Sequence, residues 1–288
     1  MRPVLPSLVL LLVVGCGSCG EELRVEGAHP YVRCLHVEPE EREWEAGSIS
    51  FAVEDRTLQI TGEIASVIAF ALTPGADLAE LPEAPLRLVI GGFARDEGSA
   101  TELLTALAEA GPTLLLPGGE DDTGVLDDVL SELDSPALVD LRGIHRVRFG
   151  GHEWVPVPGA PEGRYALGEN GCGFSAADLE KVELADPEGP RHLLTWAAPA
   201  GAGPLSQGLE GVAVGSELLA DLADRVDAKG GLFAWPRREL AAEHRPSDGV
   251  VHVFVPIWGR IVEGPDGSWS NGGVAALELE DGALHLAR

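Results

Sequence analysis

Basic residues are scarce in this sequence: 20 Lys+Arg stand against 47 Asp+Glu, a formal charge of −27. Lys181 and Lys229 are the only lysines. So acidic a chain repels nucleic-acid backbones and anionic membrane faces, which excludes both as electrostatic partners. Long apolar runs are missing as well. The run from Val4 to Val14 is broken by Pro6 and Ser7 and falls short of the roughly 20 residues a membrane-spanning helix needs. There is no G-x-S-x-G elbow and no Walker A sequence. His152-Glu153 begins like the zinc-protease motif H-E-x-x-H, but Pro156 takes the second histidine's place. The 8 histidines occur singly along the chain and read as solvated or hydrogen-bonded structural residues. What is present is a sizeable stock of core residues, 45% hydrophobic over 288 positions, with 37 Gly and 21 Pro scattered without period. That combination predicts many turns between short elements in a folded chain, not an acidic disordered tail.

Cysteine is sparse, at four residues. Arg2 followed by the short apolar run reads as a secretory signal. Val13-Val14-Gly15-Cys16 closes it and resembles the lipobox of bacterial lipoproteins, an aliphatic and two small residues before the cysteine that takes the lipid. The resemblance implies a signal peptide over residues 1–15, lipid attachment at Cys16, and a cell-envelope location anchored to the membrane through that lipid. Gly17 after the modified cysteine favours the outer membrane. Cys16-Gly17-Ser18-Cys19 also spells C-x-x-C, but lipidation would consume one sulfur and no second such pair exists, so neither a redox pair nor a zinc site is expected. Cys19, Cys34 and Cys172 remain, allowing at most one internal disulfide in an oxidising compartment. The sequence leaves the pairing open, with Cys34–Cys172 among the choices.

Ile49–Val53 and Leu58–Ile60 read as two strands around the turn Glu54-Asp55-Arg56, a small hairpin extension within residues 16–62. From residue 63 to 288 we expect a single domain. Apolar runs at Val67–Leu72, Leu86–Ile90 and Thr113–Leu116 are short and bounded by Gly or Pro, as buried strands are. Ser99-Ala100-Thr101-Glu102 has the form of a capping box ahead of a helix carrying Leu103, Leu104 and Leu107. A second helix carries Val125, Val129 and Leu133. Strand–helix alternation of this kind implies parallel pairing with right-handed crossovers. Arg146–Phe149 and Glu153–Val157 read as a meander, Ser175 with Asp178 as another capping box, His192–Trp196 as a strand, and Ser216–Val226 as a helix. Gly231–Ala234, Val250–Pro256, Val274–Leu279 and Leu284–Leu286 close the chain as strands.

The loops of this α/β pattern resemble those of the calcineurin-like metallophosphoesterases. In that family one strand ends in Gly-Asp-x-x-Asp and the next, after a helix, in Pro-Gly-Asn-His-Asp/Glu. Here the corresponding loops are Gly91-Gly92-Phe93-Ala94-Arg95-Asp96 and Pro117-Gly118-Gly119-Glu120-Asp121. Leu194-Thr195-Trp196-Ala197-Ala198-Pro199 stands where the family has His-x-Pro-Pro, and Gly211-Val212-Ala213-Val214-Gly215-Ser216 looks like its Gly-x-x-x-Gly-Ser. The resemblance spans about Val67 to Leu286 and implies a four-layer α/β/β/α sandwich of two mixed sheets.

It also implies a two-metal site, and that site is degenerate. The first Asp-x-His pair falls at Leu72 and Pro74, the bridging Asp on Phe93, the Asn and His on Gly119 and Glu120, and the later histidines on Trp196, Trp235 and Arg237. Two-metal chemistry needs oxygen and nitrogen donors at these places. Apart from Glu120 they have none, so no metal, no cofactor and no catalysis are expected. The carry-over implies a binding or scaffold module whose partner is an unknown envelope protein or small ligand. An alternative is a hydrolase with a rebuilt site around Asp96, Glu120, Asp121 and Arg237 or Arg238. Asp96, Asp121 and Asp122 could contact a ligand, although acids at helix N-termini are more simply caps. Arg237 and Arg238 could hold a phosphate or carboxylate without metal, or merely pair with surface acids. Exposed, Trp258 and Trp269 would mark a binding surface; buried, a core edge.

Overall fold

The computed structural model describes residues 24–25, 30–73, 76–164, 166, 169–182, 184, 186–207, 213–235, 242–247, 250–263, 269–280 and 283–286. Two large sheets carry the fold. The first has nine strands in the order Ala242–Ser247, Val250–Phe254, Gly230–Trp235, Arg191–Ala197, His152–Val157, Arg146–Phe149, Thr57–Thr61, Ile49–Glu54 and Glu43–Ala46. The second runs Trp269–Gly272, Ile257–Glu263, Ser66–Leu72, Leu86–Ile90, Thr113–Leu116 and Leu138–Asp140. Ala275–Glu280 also pairs with Ser66–Leu72, and Ala283–Leu286 follows it. Both sheets mix parallel and antiparallel neighbours.

Side chains of the two sheets meet in one core. Val67, Leu88, Leu114 and Leu277 of one face Phe149, Trp154, Leu194 and Leu232 of the other. Helices α1 (Glu97–Ala110) and α2 (Thr123–Leu133) connect the parallel strands of the second sheet, and α4 (Glu217–Arg225) connects two of the first. The short α3 (Ala176–Glu180) packs beside α4, with the Leu179 carbonyl accepting from Arg225 Nη2 at 2.6 Å. The result is an α/β sandwich, as expected. Among the described residues no helix is long and apolar enough to cross a membrane.

Local chemistry explains the helix boundaries. In α1, Leu103, Leu104 and Leu107 form the buried stripe. The cap differs from the expected capping box: Asp96 starts the helix, its carboxylate accepting from Ser99 N–H at 3.0 Å and Ser99 Oγ–H at 2.6 Å. A carboxylate outcompetes a hydroxyl for the free N–H groups of a first turn. The Ser175–Asp178 capping box forms where the sequence places it, and the helix read from Ser216 begins at Glu217 with Ser216 as its cap.

The hairpin is not an appendage. Thr57–Thr61 lies parallel to Arg146–Phe149, so the strands of residues 43–61 extend the nine-stranded sheet. A disulfide joins Cys34 to Cys172, with Cα atoms 5.6 Å apart, and anchors the preceding segment to the strand Cys172–Phe174.

Candidate functional site

At the C-terminal ends of the parallel strands, where α/β sheets commonly place their chemistry, the two glycine-rich loops meet. Strand Leu86–Ile90 runs into Gly91-Gly92-Phe93-Ala94, and strand Thr113–Leu116 into Pro117-Gly118-Gly119-Glu120-Asp121. Gly92 has φ 84°, and a Cβ there would overlap the carbonyl of Leu72, so this turn admits no side chain. Leu72 N–H in turn donates to the Gly91 carbonyl at 3.0 Å.

Asp121 holds the two loops together. Its Oδ1 accepts from the N–H groups of Phe93 and Ala94, both at 2.8 Å, and its Oδ2 from Gly92 at 3.0 Å and Gly118 at 2.7 Å. The side chain is completely buried. Burial pushes its pKa up, aided by Glu120, to about 6 against the pull of those N–H groups. With four donors and no solvent-facing oxygen, Asp121 serves the backbone and presents nothing to a ligand. Asp96 and Asp122 likewise cap α1 and α2; Asp122 Oδ1 accepts from Gly124 N–H at 2.9 Å and Val125 N–H at 3.2 Å. Its Oδ2 accepts from Asn170 Nδ2 at 3.0 Å.

The positions assigned to metal ligands are apolar and enclosed. Leu72, Phe93 and Trp196 are at most 2% exposed. Trp196 comes up from strand Arg191–Ala197 and lies across both loops: a Cβ on Gly91 would stand 2.8 Å from its Cδ1, and one on Gly118 would overlap the ring. Gly119 packs with equal closeness onto Ala160. Leu, Phe, Trp and Gly side chains carry no lone pair for a hard cation, so the donor set does not fit a two-metal centre. Glu120, half-buried on its turn, is the one carboxylate among these positions. Trp235 ends the strand neighbouring Ala197, but its side chain lies outside the described residues. Cys16, Pro74, Arg237 and Arg238 also lie outside them. Trp258 is 7% exposed and donates its indole N–H to the Asp77 carbonyl at 2.8 Å, a core edge and not a surface.

Two functional-looking features have no signal in the sequence. His152 and His192, 40 residues apart, meet in the core with Nδ1 and Nε2 2.9 Å apart. Strand register alone creates that pair, because His192 stands opposite Trp154, two residues from His152. The second is a cleft beside the disulfide, its walls drawn from segments distant in sequence.

No family model matches the chain, and no curated protein matches it. Among solved structures, one crystal structure aligns with 78% of this chain and 99% of its own at a TM-score of 0.55 and 13% identity. The crystal structure of TT1561 of Thermus thermophilus aligns with 78% of this chain and 98% of its own, at a TM-score of 0.50 and 17% identity. At these identities the likeness is one of fold.

Proposed function

We propose that this protein is a lipid-anchored cell-envelope component whose metallophosphoesterase-like sandwich has given up catalysis and serves as a binding or scaffold module. The observation that carries the reading is the packing of Trp196 onto Gly91 and Gly118, with Leu72 and Phe93 enclosed beside it. Loops that would cradle two metals and a phosphate instead close over an aromatic ring. Asp121 supports the reading from below, since its carboxylate fixes the loops rigidly without offering an oxygen outward. The order of the glycine-rich loops along the chain supports the family, and the segment from Arg2 to Cys16 supports the anchor. Nucleic acid is no partner on charge grounds.

The test is elemental analysis of the whole chain, purified in a mild non-ionic detergent without chelator, with hydrolysis of a generic phosphodiester in added Mn²⁺. The expected result is no stoichiometric metal and no turnover above buffer. One or two ions per chain together with turnover would replace this reading with the rebuilt hydrolase. Mass spectrometry of the N-terminal peptide tests the anchor separately, the expected product starting at a diacylglyceryl-modified Cys16.

A further inference from the structure

Beside the disulfide, outside the glycine-rich loops, lies a cleft of about 830 Å³. Its walls come from the segment after Cys34, the turn between strands Ile49–Glu54 and Thr57–Thr61, the start of strand Arg146–Phe149, and the end of α3. Three cations, Arg56, Arg146 and Lys181, line it beside four carboxylates, together with His36 and His145.

Two of the cations nearby are already matched. Arg33 pairs with Asp178, which also meets His36 Nε2 at 2.8 Å. Arg56 pairs with Glu38 and donates to the carbonyls of Val37 at 2.9 Å and Gly143 at 3.0 Å. Arg146 and Lys181 are different: neither has a carboxylate partner among the described residues, and the Nε of Arg146 is buried with no acceptor. The unpaired acids of the lining, Glu41 and Asp55, are exposed, as Lys181 is, so solvent screens all three, and Arg146 is the half-buried unpaired charge of the cleft.

The histidines register the same local field. His36 and His145 are both held below the usual imidazole range, first by burial. Arg33 and Lys181 add to the effect at His36, and Arg56 and Arg146 at His145, while Asp178 and the Leu35 carbonyl oppose it. Arg56 is presented by a two-residue hairpin turn, with Asp55 at φ 46° and Arg56 at φ 56°, the left-handed pair that matches the twist of the flanking strands.

We propose that this cleft binds a small oxyanion-bearing ligand, a carboxylate or a phosphate, with Arg146 and Lys181 as its two charge partners. The proposal is independent of the reading of the glycine-rich loops. An anion seated between the two cations makes charge-assisted bonds to a fork and to a point charge.

The test is the unfolding temperature of the whole chain in detergent, with inorganic phosphate or succinate against sodium chloride at equal ionic strength. At 10 mM a ligand of millimolar affinity raises it by about 3 °C. The two arms tell a phosphate site from a carboxylate site, and a shift with either supports the proposal if Arg146→Gln and Lys181→Gln each weaken binding about tenfold. Lys181 is exposed at the end of a short helix, so Lys181→Gln decides even where Arg146→Gln fails to fold. No shift beyond sodium chloride in either arm, or a shift undiminished in Lys181→Gln, overturns it.

Discussion

The ring of Trp196 occupies the space into which a side chain on Gly118 would grow. The two residues are therefore coupled, and their substitutions should not add. Trp196→Ala removes a large buried side chain and should cost about 3–5 kcal/mol in denaturant unfolding. Gly118→Ala forces its methyl into the indole and should cost about 1–3 kcal/mol. In the Trp196→Ala background the added methyl enters vacated space, so the double variant should be more stable than the sum predicts by about 1 kcal/mol or more. Strict additivity would mean that the ring does not rest on Gly118.

Asp121 makes a second prediction at the same loops. Asp121→Asn keeps the shape but replaces one oxygen by an NH₂ group, which must face two of the four N–H donors from Gly92, Phe93, Ala94 and Gly118. Donor against donor in a fully buried position leaves polar groups unsatisfied, and we expect a loss of about 2–4 kcal/mol at pH 7.5 by denaturant unfolding. Asp122→Asn should be milder, about 1–2 kcal/mol, because its oxygen can still accept from Gly124 and Val125 and only the part-buried bond from Asn170 is lost.

How much of this can be read from sequence follows the range of each interaction. Elements set by local periodicity are legible: the strands Leu86–Ile90 and Thr113–Leu116, the leucine stripe of α1, and the capping box at Ser175. Ser99 reads as a cap in sequence because two nearby residues both have suitable side chains, and the stronger acceptor, Asp96, takes the N–H groups. Pairings that depend on distant partners are not legible. Nothing near residues 57–61 announces that they lie parallel to Arg146–Phe149, and nothing near His152 announces His192. At the glycine-rich loops, burial of Leu72, Phe93 and Trp196 follows from their side chains. The inward turn of Asp121 does not, since a carboxylate in an acidic loop looks like a ligand until its donors are seen.

The disulfide makes a third prediction. Cys34 and Cys172 are separated by 138 residues, and closing so long a loop removes much of the unfolded chain's freedom. On the loop-entropy model the bond contributes about 5 kcal/mol. The double variant Cys34→Ala/Cys172→Ala, or reduction of the native chain, should therefore lower stability by about 2–5 kcal/mol in denaturant. Because Leu35 and His36 line the cleft directly after Cys34, ligand-induced stabilisation in the phosphate and succinate experiment should shrink in the same variant.

The buried histidine pair sets the response to acid. His152 and His192 are each 2% exposed, bonded to one another and packed against the ring of Trp154. Burial holds both pKa values down, that of His192 to about 3 with a smaller push from His152. In the unfolded chain each imidazole takes a proton near pH 6.5, whereas His192 in the folded chain resists until about pH 3. Its contribution to stability is therefore fully present above pH 6.5 and is lost as pH falls from there to about 3, a range worth about 4–5 kcal/mol. Asp121 acts with the opposite sign. Its carboxyl is raised from 3.8 to about 6, so its contribution is greatest below pH 3.8 and falls as pH rises through 6. The histidine shift is the larger, and the net expectation is a chain that loses stability in mild acid. His192→Leu removes the titrating group while keeping an apolar side chain in the core. Denaturant midpoints measured from pH 7.5 to 4 should fall less steeply for His192→Leu than for the native chain, and an unchanged slope would locate the acid sensitivity elsewhere.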